Sequence, residues 1–99
     1  MKQDPKEQRQ GRLEDAAKAE GECWAREQMG VLRAEHRPII GGWPGTMGEA
    51  RGRSRRCVAQ AFGRNSAAPT FGEVESAARL MYARAKHVWR TVTEREPAP

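Results

Sequence analysis

No run of apolar residues approaches the roughly 18 that a membrane-spanning helix needs, and the N-terminal "MKQDPKEQRQ" lacks the charged-then-apolar order of a secretory signal. The expected compartment is the cytoplasm, with no membrane partner. Cysteine is scarce: Cys23 and Cys57 are the only two, far apart and in no C-x-x-C pairing. That spacing argues against both a disulfide framework and a zinc finger. Nothing alternates with period two over more than a few residues, so no sheet is expected. Catalytic triads, Walker loops and the Glu-x-x-His motif of di-metal bundles are also missing, so no catalytic residue, cofactor or metal is assigned.

What remains is a chain of 99 residues, 37% hydrophobic and 31% charged, enough for one modest core. We expect a single helical domain over 1–99, with flexible ends at about 1–8 and 94–99. Charge is unevenly placed. Residues 1–45 hold eight Lys/Arg against eight Asp/Glu, residues 46–90 hold nine against three, and the last nine hold one against two. The basicity belongs to the second half, which suggests an acidic partner such as nucleic acid.

"TMGE" at Thr46 to Glu49 and "TFGE" at Thr70 to Glu73 repeat one start signal: a Thr that caps the first amides and a Glu three residues on that reaches back. Each opens a helix. In the first, Met47, Ala50, Ser54, Cys57, Val58, Ala61 and Phe62 fall within an arc of about 140°, and Gly63 stands where a C-terminal cap is wanted. In the second, Phe71, Val74, Ala77, Ala78, Met81, Tyr82, Ala85, Val88, Trp89 and Val92 share a similar arc, with Pro97 beyond the end. An earlier, less regular helix puts Leu13, Ala16, Ala17, Cys23, Trp24 and Val31 on one face. Gly21 and Gly30 each cost it about 1 kcal/mol relative to Ala, and a bend or break is expected near Gly30. The fold class is therefore all-α: a small bundle of three main helices (about 5–35, 46–63 and 70–93) with a Gly/Pro/Trp loop between the first and second. So Ala-rich a core leaves homodimerisation open.

Few constellations suggest chemistry. Glu20 and Glu27 project onto the face of Cys23 and Trp24, where a charge needs a partner, and Arg51 or Arg55 is expected to supply it. The sharper alternative is a paired-carboxylate or metal site built on Glu20, Glu27, Cys23 and Cys57. Cys23, His36, Cys57 and His87 sit on different elements, which disfavours a structural metal. "GGWPGTMGEA" has glycines before a helix, but Glu49 competes for the amides that an anion would use. Trp43 reads either as a lid over the open end of the bundle or as an exposed contact. Leu80 lies opposite the apolar arc beside His87 as a small contact patch.

The basic residues form two stripes. On the second helix Arg53 and Arg56 are expected to point outward while Arg51 and Arg55 flank the core; on the third, Arg79, Lys86 and Arg90 lie at i, i+7 and i+11, with Arg64 at the connection. Because the third helix opens with two glutamates, base reading in the manner of a helix-turn-helix is not expected. The expectation is a small non-enzymatic accessory or regulatory protein that contacts nucleic-acid phosphates through Arg51, Arg53, Arg55, Arg56, Arg64, Arg79, Lys86 and Arg90. The alternative is a protein-interaction or homo-oligomeric module that docks a partner through Trp43 and Leu80.

Overall fold

In a computed structural model describing residues 5–95, three helices follow in order: α1 (Pro5–Ala34), α2 (Met47–Phe62) and α3 (Phe71–Arg95). No strand occurs among the described residues. Both capping boxes form. Thr46 Oγ1 accepts from the Glu49 amide at 3.1 Å while the Thr46 amide donates back to the Glu49 carboxylate, and Thr70 and Glu73 repeat the exchange. Gly63 ends α2 at φ 82, with its amide on the Ala59 carbonyl.

α1 runs unbroken through Gly30, so the expected break there does not occur. It stops at a left-handed residue instead: His36 has φ 57, and the Arg37 amide closes back on the Leu32 carbonyl at 2.8 Å, after which Pro38 cannot continue the helix. Residues 5–8 and 94–95, expected within flexible ends, are helical. Residues 1–4 and 96–99, with Pro97, lie outside the described residues.

The register follows from ion pairs. Arg9 reaches Glu73 and Glu22 reaches Arg84, offsets of 64 and 62 residues, so α1 and α3 run parallel. α2 returns antiparallel to α1, with Cys57 against the Ala16 carbonyl and Arg53 against Glu20 and Glu27. All three helices touch each other. At Gly21 α1 and α3 approach closely: a Cβ there would stand 2.6 Å from the Met81 carbonyl and 2.9 Å from Arg84 Cβ. The residue that weakens α1 as an isolated helix is thus the one that lets it approach its neighbour.

Two apolar clusters fill the bundle. One gathers Leu13, Ala17, Val58, Phe62 and Ala77, with Leu80 packed against them; the larger gathers Trp24, Ala25, Met29, Ile39, Ala50, Ala78, Met81, Ala85 and Trp89. Full burial of a side chain the size of Leu13 or Met81 contributes about 1.5–3 kcal/mol. Ser54 is fully buried too, and its hydroxyl donates to the Val74 carbonyl at 2.7 Å, which ties α2 to α3. The interhelical loop closes one end: Ile39 inserts into the core, Trp89 Nε1 donates to the Gly41 carbonyl, and Trp43 packs edge-on against Trp24 and Trp89. Trp43 is therefore the lid, half-buried between two other indoles.

Three apolar-face assignments do not hold. Cys23 is exposed, Val31 is 51% exposed, and Phe71 at the first residue of α3 is 80% exposed. Leu80 departs the other way, half-buried where a surface position was expected. α3 packs against two helices on different sides, so its covered arc is wider than one helix face.

Candidate nucleic-acid interface

Arg9, Arg51, Arg53 and Arg84 each pair with a carboxylate on another helix. Arg53 donates to Glu20 at 2.6 Å and to Glu27, and its guanidinium lies over the Trp24 ring, 5.3 Å from the centroid. Arg51 makes a bidentate pair with Glu75 on α3. The expected geometry is thus corrected in two places. Arg53, assigned outward, turns toward α1 and is the partner of Glu20 and Glu27; Arg51 and Arg55, offered for that role, lie on the α3 side of α2 instead. The helical wheel gives a direction around α2 but not the position of α1, and a long guanidinium arm can bend back to a carboxylate.

These contacts also describe the carboxylate–cysteine constellation. Bonding to Arg53 draws the Glu27 carboxyl below its ordinary value, against the opposing effect of burial. Burial, then the hydrogen bond from Cys23 Sγ to Glu27, raises the Cys23 thiol; burial and the nearby Glu20 raise Cys57. Raised thiols stay protonated and are poor nucleophiles and ligands. Among the described residues no group of three or more His, Cys, Asp or Glu converges to hold a metal ion. Glu20 and Glu27 are structural anchors for Arg53.

The three carboxylates between residues 46 and 90 are all held by the chain itself. Glu49 serves its capping box, Glu75 is bound by Arg51, and Glu73 is clasped by Arg9 while also capping α3. The Arg9 guanidinium and the Thr70 contacts together draw the Glu73 carboxyl down to about 2, although partial burial opposes them. Arg84 is likewise taken by Glu22 of α1.

Arg55, Arg56, Arg64, Arg79, Lys86 and Arg90 are left, all exposed and with no side-chain ion pair or hydrogen bond among the described residues. Arg79 lies close enough to Glu75 to add to the hold of Arg51 on that carboxyl, without pairing with it. Arg79, Lys86 and Arg90 share the flank of α3 that also carries Glu75, one turn before Arg79. Because Glu75 is bound to α2, this flank begins on the α2 side, where Arg55 shares a groove with Phe71 and Glu75.

Between the two helices lies a groove of about 330 Å³, lined by Arg51, Arg55, Pro69, Phe71, Val74 and Glu75. Phe71 was not expected to contribute, because a helical wheel places it on the apolar arc. A signal was available in its position: it follows the cap Thr70 directly, at an end where a neighbouring helix has the least chain to lay over it. Of the residues proposed for partner contact, Trp43 and Leu80 turn toward the two apolar clusters. Among the described residues no helix is long and apolar enough to cross a membrane. Comparison of the chain with protein-family models, curated proteins and solved structures returned no match.

Proposed function

We propose that this protein binds nucleic acid through the phosphate backbone, as a small non-enzymatic accessory or regulatory factor, using Arg55, Arg56, Arg64, Arg79, Lys86 and Arg90. One observation supports this reading above the rest: every carboxylate between residues 46 and 90 is already engaged within the chain, while the side chains of these six cations make no ion pair or hydrogen bond among the described residues. Surplus charge of one sign on a small bundle attracts a polyanion, which releases its counterions on binding. Arg51 and Arg53 drop out of the contact set, since Glu75 and the Glu20–Glu27 pair occupy them.

Docking of a protein partner has less support, because Trp43 and Leu80, the residues that suggested it, are half-buried against the core. Exposed Val31 and Ile40 keep a homodimer worth checking by light scattering, where a monomer mass argues against it.

The test is fluorescence anisotropy with labelled DNA and RNA across a salt series. Six contacts give a log–log slope of about −4 to −5. Reversing two of these charges (Arg55→Glu with Arg56→Glu) should weaken binding at least about tenfold and flatten the slope by about 2 units. Failure to bind any DNA or RNA, or binding indifferent to salt, would overturn the reading.

A further inference from the structure

The groove between α2 and α3 brings two arginines together with apolar residues and an exposed aromatic ring. Phe71 is the most exposed large apolar side chain among the described residues, at 80%, and lines the groove together with Pro69 and Val74. Isolated exposed residues need no explanation, but this ring borders a concavity and stands beside an unpaired guanidinium, that of Arg55. At about 330 Å³ the groove is at the small end of ligand pockets, the size for one flat ring system and not for a helix.

Charge decides what enters. Glu75 lines the groove, and although Arg51 holds it, a phosphate placed inside would meet a carboxylate. A neutral, flat, partly polar group has no such obstacle, and it can stack on Phe71 while its edge meets the donors of Arg51 and the acceptor oxygens of Glu75. The anionic part of the same ligand is held outside, where Arg55 lines the groove and Arg79 follows Glu75 by one turn of α3. A nucleobase joined to flanking phosphates has this distribution of charge, and in a duplex its face is covered by its neighbours.

Resting on the nucleic-acid reading above, we infer that the Phe71 groove takes one unpaired base, so that the protein's ligand is a single-stranded polynucleotide. Phe71 supplies the stacking face, the Arg51–Glu75 pair supplies the polar edge, and Arg55 and Arg79 bind the adjoining phosphates. The chain is then a single-strand binder whose affinity combines a salt-sensitive backbone contribution with a salt-insensitive one at this ring.

Anisotropy titrations with oligothymidylate, oligouridylate and a mixed-sequence duplex, each of about a dozen nucleotides, test this on the full chain. Single strands should bind more tightly than the duplex. Phe71→Ala should weaken single-strand binding about 5- to 150-fold with an unchanged salt slope, and Phe71→Tyr should restore it. Since Phe71 is exposed, the helical circular dichroism of both variants should match the parent. Equal or tighter duplex binding, or a Phe71→Ala variant with parental single-strand affinity, overturns the stacking site while leaving phosphate binding standing. Absence of salt-sensitive binding to all three ligands overturns both. Comparison of the thymidylate and uridylate arms separates DNA from RNA as the better single strand.

Discussion

Gly21 and Gly30 look alike in the sequence, two glycines inside one helix, each unfavourable by about 1 kcal/mol. Their surroundings separate them. A Cβ at Gly30 would meet nothing within 4 Å, whereas one at Gly21 would press on the Met81 carbonyl and on Arg84 Cβ. Backbone cannot move aside as a flexible side chain can. Gly30→Ala should therefore stabilise the protein by about 0.5–1 kcal/mol, and Gly21→Ala should destabilise it by about 1–3 kcal/mol, both read from thermal unfolding followed by circular dichroism. A stabilising Gly21→Ala would mean that α1 and α3 do not approach as described. The same limit on what a single position discloses explains Arg53 and Phe71. A helical wheel records the angle of a side chain around its own axis. It holds neither the place of the next helix, which turned Arg53 toward Glu20, nor the distance along the axis, which leaves Phe71 uncovered at the first residue of α3.

Capping chemistry fixed the starts of α2 and α3 to within a residue, because Thr and Glu three apart form a local structure that owes nothing to the rest of the fold. The loop between α1 and α2 was less legible. Glycine and proline announce a turn, but not that Ile39 enters the core or that Trp89 holds the Gly41 carbonyl. Gly45 is required within it, since a Cβ there would lie 2.5 Å from the Trp43 ring and 2.6 Å from that of Trp24. Trp43 contributes two edge-to-face contacts but leaves its own indole N–H buried without a partner. Trp43→Ala should thus cost about 2–4 kcal/mol in urea unfolding, while Trp43→Phe, which retains a ring and sheds the unsatisfied donor, should cost less than half as much. Parental stability in Trp43→Ala would show that the loop does not close the bundle.

Across the molecule, the assembly of the helices is written in arginine–carboxylate clasps: Arg9–Glu73 and Arg84–Glu22 between α1 and α3, Arg53 with Glu20 and Glu27 between α1 and α2, Arg51–Glu75 between α2 and α3. Bonding to Arg84, Arg53, Arg9 and Arg51 respectively lowers the carboxyls of Glu22, Glu27, Glu73 and Glu75 from 4.5, Glu73 to about 2. A carboxyl held lower in the folded than in the unfolded chain stabilises folding above its unfolded value and ceases to do so as pH falls through its folded value. The melting temperature should therefore be flat above about pH 5 and decline below about pH 4.5, and Glu73→Gln should make that decline shallower. A melting temperature that holds steady down to about pH 3 would mean that the clasps contribute nothing to folding. The charge asymmetry between the halves was plain in the composition. Which cations remain after the clasps form was not, because that depends on how the helices cross.

The meeting of Trp24, Trp43 and Trp89, with ring centroids 4.8 and 5.6 Å apart, also makes the molecule its own optical gauge. Indoles fixed edge-on in an asymmetric setting produce near-ultraviolet circular dichroism that vanishes once they tumble independently. Trp89 and Phe71 stand 18 residues apart on α3, roughly 27 Å along the axis, so truncation of the Phe71 ring leaves that spectrum untouched. A Phe71→Ala protein whose indole bands match the parent's before any ligand is added then has an intact bundle, and a loss of affinity in its anisotropy titration belongs to the groove.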